Sequence, residues 1–226
     1  FVADLLNKKS LEKNINDFDL VINLAAIIRT LDKKKYQENI DGTKNLTEVL
    51  GKKGIKKLIH FSTQNVTLKT KGPYAKSKEE SEKIIKNSNL EYLIVRPNYV
   101  YAINRNNDFY MLAVIGSGNC KIQPVLREDL VDVVINFIEN FIPRSIVEIS
   151  GKETVSINEI TDLIGEYLGI KPLKIHIPFF TLKTVKGFIS FDVDGYTESR
   201  ISQNPFSNYN YSSFRDNLKK IINLLK

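Results

Sequence analysis

Three short runs limit what this chain can fold into. Leu20-Val21-Ile22-Asn23-Leu24-Ala25-Ala26 is apolar almost throughout. A strand of that kind needs cover on both faces, which is the pattern of a central strand in a parallel sheet. Lys57-Leu58-Ile59-His60-Phe61-Ser62-Thr63 and Glu91-Tyr92-Leu93-Ile94-Val95-Arg96-Pro97 are the next two strands. Between the first two lies a helical region, Asp32 to Lys53, with Ile40, Leu46, Val49 and Leu50 as its buried stripe and Gly51 and Gly54 at its end. Between the second and third, a helix opens at Gly72-Pro73 and runs to Lys86. Alternating strands and helices joined by right-handed crossovers imply an α/β chain with a doubly wound parallel sheet. Ligands of such sheets bind beyond the carboxyl ends of the strands. Those ends carry Asp4, Ala25-Ala26, Ser62-Thr63 and Arg96-Pro97-Asn98.

The flanking segments extend the pattern. Phe1 to Leu5 reads as the end of a strand, followed by a turn and helix over Asn7 to Asn14. After Pro97 the periodicity weakens into a loop at Asn104 to Asn107 and a turn at Gly116 to Asn119. A helix is expected over Arg127 to Asn140, a strand over Ser145 to Ile149, and a short strand over Lys174 to Pro178. Ser156 caps an amphipathic helix with Ile160, Leu163, Ile164, Tyr167 and Leu168 on one face and Gly169 at its end. A tail helix spans Ser212 to Lys226.

Length and composition bound the function. A chain of 226 residues holds one large α/β domain, or one domain with an appendage. No apolar run approaches the ~20 residues that span a bilayer, and Lys183 and Lys186 interrupt the fairly apolar stretch Ile177 to Phe191. Neither a membrane span nor a signal peptide is expected. A single Cys120 forms no internal disulfide and fits a reducing, cytoplasmic setting. His60 and His176 flank separate strands, and no Cys/His cluster favours a metal. The net charge is +7, but the lysines alternate with glutamates, as in Lys78-Glu79-Glu80-Ser81-Glu82-Lys83. That pattern is a solvated surface, suited also to an anionic small molecule, rather than a nucleic-acid interface. Starting at Phe1 inside an apolar segment, the chain reads as the interior of a longer protein.

Tyr74 and Lys78 stand four residues apart in the helix after the second strand, so they share one face. An ammonium beside a phenol favours phenolate, drawing the pKa down from ~10 towards the range of an acid/base group. The bland alternative is a helix start with a buried Tyr and a solvated Lys, since this spacing occurs often by chance. Position at the strand ends gives the pair its weight.

In combination these residues resemble the extended short-chain dehydrogenase/reductase superfamily, the branch of NAD-dependent epimerases and dehydratases acting on nucleotide sugars. Asp4-Leu5 is similar to the acidic pair that holds the cofactor's adenine. Leu24-Ala25-Ala26 matches the strand end where cofactor passes close to backbone. Asn39, Gly42-Thr43 and Asn45-Leu46 match the family's N-x-x-G-T-x-N-L helix, and Tyr74 and Lys78 its Y-x-x-x-K motif. By its offset from Val66, Thr63 takes the catalytic Ser/Thr place, and Pro97 flanks the nicotinamide. Gln123-Pro124-Val125 and Glu128-Asp129-Leu130 resemble the segment opening a later helix.

The resemblance implies a Rossmann-like core over residues 1–102 and a small C-terminal substrate-binding region over 103–226, interleaved with the last core strand. It further implies NAD or NADP as cofactor and hydride transfer on a nucleotide sugar or a related hydroxy/keto compound. Tyr74 would be the acid/base, Lys78 would lower its pKa and bind the nicotinamide ribose, and Thr63 would hydrogen-bond the substrate oxygen. Gln64, Asn98 and Tyr99 would contact substrate. Homodimerisation through the Asp32 to Lys53 and Lys76 to Lys86 helices is a further expectation.

Three departures qualify this. The family's G-x-x-G-x-x-G phosphate loop is absent, and Gly116-Ser117-Gly118 follows no convincing strand. The chain alone is therefore expected to bind dinucleotide poorly. Only eleven positions separate Thr63 from Tyr74, and Tyr99 stands where the family's sugar-gripping Asn belongs. These features resemble the atypical branch, which includes the epimerase-like accessory subunit of respiratory complex I. A non-catalytic cofactor-binding or assembly protein is accordingly the second reading.

Overall fold

The structure, a computed structural model, describes residues 3–103, 113–184 and 198–225. Expectations for Phe1-Val2, the loop Asn104 to Asn107, the apolar stretch beyond residue 184 and Lys226 lie outside these residues. In chain order the elements are α1 (Lys8–Asn14), β1 (Leu20–Asn23), α2 (Gln37–Lys52), β2 (Lys57–Phe61), α3 (Pro73–Lys86) and β3 (Glu91–Pro97). Then follow the short strands β4 (Val100–Tyr101), β5 (Ala113–Ile115), β6 (Lys121–Ile122) and β7 (Val125–Leu126), and helix α4 (Arg127–Glu139). The last are β8 (Ser145–Ile149), β9 (Val155–Ser156), α5 (Ile157–Leu168), β10 (Ile175–Ile177), α6 (Phe179–Thr184) and α7 (Phe214–Leu225).

The main sheet is parallel with order β1-β2-β3-β8. Alternation of side chains divides its residues between two cores. Leu58 and Ile94 pack with Val49 and Leu50 of α2 and Ile85 of α3, while Ile59, Leu93 and Val95 pack with Leu130, Val133, Val134 and Phe137 of α4. Leu58, Ile59, Leu93, Ile94 and Val95 are all fully buried. Each contributes about 1.5–3 kcal/mol of burial free energy, which is why these strands are apolar on both faces. A third core, built from Tyr101, Val114, Val155, Leu163, Phe214 and Leu218 among others, lies beyond β3. Among the described residues no helix is long and apolar enough to cross a membrane.

The structure corrects several boundaries. β1 stops at Asn23 rather than Ala26, because the Asn23 Oδ1 accepts the Ala25 N–H at 3.2 Å and turns the chain out of the sheet. Asp4 and Leu5 belong to no strand; Leu5 is in a turn, and the Asp4 carboxylate accepts the Leu6 N–H at 2.9 Å. A 3-10 turn, Lys33–Tyr36, precedes α2, with Asp32 accepting from the Lys34 N–H. Ile40 is only partly buried. Gly116-Ser117-Gly118 does follow a strand, β5, but leads into β6 rather than a helix.

Candidate active site

Two candidate sites lie at the carboxyl end of the sheet. The first is a groove of about 330 Å³ whose walls include Asp4, Leu5, Ala25, Ala26, Glu38 and Asn39. Asn39 shapes it from behind: its Oδ1 accepts the Ile27 N–H at 2.7 Å, and its Nδ2 donates to Ile27 O at 3.1 Å and to Ser77 Oγ at 3.0 Å. The amide thus pins the segment after β1 to α2 and α3 while the residue forms part of the groove wall. Leu24 is 64% exposed and stands with Ile28 and Leu31 among the exposed apolar residues of that segment.

The second site is built on α3. Pro73 at its first turn needs no N–H partner and starts the helix at Gly72. Tyr74 and Lys78 follow on one face. Lys78 is 3% exposed, and its ammonium donates to Phe61 O at 2.7 Å, which ties α3 to the last residue of β2. Two residues on, Thr63 caps a 3-10 turn, its Oγ1 accepting the Asn65 N–H at 3.3 Å. This is the ordinary backbone use of a strand-end hydroxyl, and it leaves the O–H to donate.

The electrostatics correct the sequence-based expectation for Tyr74. Burial, reinforced by the neighbouring Tyr36, pushes its phenol up to about 12 rather than down. The Tyr36 ring stands 6.0 Å away, with its hydroxyl donating to Ile28 O. Lys78 is itself drawn down to about 8 by burial, against which Glu82 pulls upward. A lysine that gives one N–H to a backbone carbonyl and is weakened by burial does little for the phenol in the chain alone.

The residues assigned to substrate are largely engaged inside the protein. Gln64 is 1% exposed; its amide donates to Glu148 at 3.2 Å and accepts from Ser202 Oγ at 2.9 Å. The Asn98 Nδ2 donates to Arg200 O at 2.9 Å, and its Oδ1 accepts the Tyr99 and Gln123 N–H groups. Tyr99 packs on the third core. Pro97 ends β3 opposite Ile149.

Sequence reasoning missed the polar layer between the sheet and α3. Glu82, 1% exposed, accepts from Ser62 Oγ at 2.7 Å and from Arg96 at 2.9 and 2.6 Å. Burial raises its carboxyl, but the bonds from Arg96, Ser62 and Lys86 outweigh that and hold it below the usual range. His60 lies in the same layer. Because Asn23 Oδ1 is taken by Ala25, its Nδ2 donates to the His60 Nδ1 at 3.1 Å, so the ring proton sits on Nε2. Burial, with Lys78 nearby, lowers His60 to about 3. The one available signal was spacing, since Glu82 falls one turn after Lys78 on the same helix face.

A family model described as NAD(P)H-binding matches residues 1–140, more than half of the chain. No curated protein matches the sequence at a significant level. Among solved structures, the chain is similar to a Tyr-to-Phe mutant of UDP-glucuronic acid 4-epimerase from Bacillus cereus, in complex with a fluorinated UDP-glucuronic acid and NAD. The identity is 22%, the match covers 98% of this chain and 79% of that one, and the TM-score is 0.73. It is similar also to UDP-glucose 4-epimerase from Thermotoga maritima with UDP-glucose, at 17% identity, 99% and 82% coverage and a TM-score of 0.74. A third likeness is RMD from Pseudomonas aeruginosa complexed with NADPH, at 15% identity, 99% and 87% coverage and a TM-score of 0.73.

The residues present fit part of a dinucleotide. Asp4 offers a carboxylate acceptor at the groove, and Ala25 and Ala26 allow close approach to backbone. No glycine-rich loop occurs in the sequence to receive the pyrophosphate. With the Rossmann-like parallel sheet of NAD-dependent epimerases and dehydratases and a matching domain model, the chain belongs to the NAD(P)H-binding family.

Proposed function

We propose that the chain is an NAD(P)-dependent oxidoreductase or isomerase of the epimerase/dehydratase type, acting on a hydroxy or keto carbon of a nucleotide sugar or related compound. The observation that carries this reading is the Tyr74–Lys78 face of α3, tied through Phe61 O to the strand end bearing Thr63, at the same end of the sheet as the Asp4–Asn39 groove. A bound nicotinamide would supply the hydride donor or acceptor and, when oxidised, a positive charge. Tyr74, at about 12 in the chain alone, is protonated at neutral pH and set to give its proton to a substrate oxygen. Thr63 donates its free O–H to the same oxygen, and Lys78 holds the strand end and offers its remaining N–H groups to a ribose. The region beyond residue 102 forms the substrate side.

Turnover of UDP-glucose or UDP-glucuronic acid with NAD or NADP tests this. Tyr74→Phe should lower the rate by about 10²–10⁴-fold with an unchanged melting temperature; equal rates in variant and parent refute the assignment. The internal engagement of Gln64, Asn98 and Tyr99 favours a second reading, a cofactor-binding or assembly protein without turnover. Dinucleotide binding with no turnover in either form would support it.

A further inference from the structure

Glu82 is the most deeply buried carboxylate among the described residues, and the reaction proposed above does not use it. Four donors fill its two oxygens: Ser62 Oγ at 2.7 Å, Arg96 Nε at 2.9 Å, Arg96 Nη2 at 2.6 Å and Lys86 Nζ at 3.1 Å. They come from three elements. Lys86 shares α3 with Glu82, Ser62 follows β2, and Arg96 is near the end of β3. One turn before Glu82, Lys78 donates to Phe61 O at 2.7 Å. Helix α3 is therefore fastened to two consecutive residues, Phe61 and Ser62, and the next residue is Thr63. An apolar side chain would fill this space without the cost of burying charge, so packing does not account for the carboxylate.

We propose that Glu82 is a positioning residue: clamped by Ser62 and Arg96, it locks α3 to the ends of β2 and β3 and sets the Lys78 ammonium against the strand end that carries Thr63. Its consequence for turnover rests on reading Tyr74 and Lys78 as the acid/base pair, but the positioning itself is measurable without turnover. The titratable groups acting on or felt by Lys78 are Glu82 on its own helix and His60 on β2, with Arg96 beyond Glu82.

The test is the titration midpoint of the Lys78 ammonium in the whole chain, followed by NMR of its ε-carbon. Glu82→Gln should move the midpoint down by about one unit, because the opposite charge that counters the burial of Lys78 is gone. General loosening acts with the other sign, since admitted water returns a buried lysine towards its ordinary, higher value. A midpoint that stays put or rises overturns the proposal. Should Glu82→Gln fail to fold with Arg96 unpaired, the double variant Glu82→Gln/Arg96→Gln removes both charges of that pair; loss of the Arg96 cation offsets part of the effect, so its midpoint should fall by less than in the single variant, and one that does not fall overturns the proposal. Glu82→Asp, which keeps the charge, should restore most of the shift. An unmoved midpoint refutes the positioning role whatever Tyr74→Phe does, and a failed Tyr74→Phe assay leaves the titration readable.

Discussion

His60 shows how one side chain acquires properties that its type does not have. In water an imidazole titrates near 6.5; here, buried and beside Lys78, it is held at about 3. Between those values the unfolded chain binds a proton that the folded chain refuses. Stability therefore rises with pH across that window and is lost as pH falls from 6.5 towards 3, by up to about 1.4 kcal/mol per unit. Glu82, held below its ordinary 4.5, adds loss of the same sign at lower pH. His60→Gln keeps a polar side chain but removes the titration. Denaturant unfolding should show the stability gap between parent and variant narrowing from pH 7 to pH 4; parallel curves would contradict the buried neutral imidazole. Nothing in the sequence distinguished His60 from a strand-flanking His176, because the difference lies in what covers it.

Among elements, helix termini follow local chemistry most closely. The α5 start is a reciprocal box: Ser156 Oγ accepts the Glu159 N–H at 3.2 Å, and the Glu159 carboxylate accepts the Ser156 N–H at 2.6 Å. Gly169 closes the helix at φ 70°, a left-handed conformation that costs a side chain strain. Ser156→Ala should destabilise the protein by about 1 kcal/mol in urea unfolding, and an unchanged midpoint would argue that Glu159 alone suffices. Both ends of α5 were legible in the sequence because four or five adjacent residues determine them. The Glu82 clamp was not. It joins α3 to two strands, and its partners Ser62 and Arg96 stand 20 and 14 residues away.

For the whole molecule, the segment 198–206 ties the end of the main sheet to the short strands that follow β3. Arg200 N–H donates to Lys121 O at 2.7 Å, Ser202 N–H to Gln123 at 2.8 Å, and Phe206 N–H to Glu148 O at 2.8 Å. Ser202 Oγ donates to Gln64 and is bonded to Ser150 within a buried cluster. Ser202→Ala strands the Gln64 carbonyl and the Ser150 hydroxyl away from water, at about 1–3 kcal/mol. Calorimetry should show the loss as a lower melting temperature. A melting temperature equal to the parent's would mean that water reaches this cluster. These same contacts engage Gln64 and Asn98, the residues expected from the sequence to meet substrate, within the protein. Their position after the strand ends was readable, but the chain that engages them returns 138 and 102 residues later.

The sequence by itself determined the parallel order of strand and helix, the two caps of α5, and the placing of Tyr74 and Lys78 on one helix face. Each of these depends on periodicity or on neighbours within a few residues. Tertiary structure alone decided the protonation of that pair. Burial raises the phenol and lowers the ammonium, and the counter-charge on Glu82 comes with partners from two other elements. A pKa depends on how much water surrounds a group and which charges face it, and neither is written in the spacing of residues.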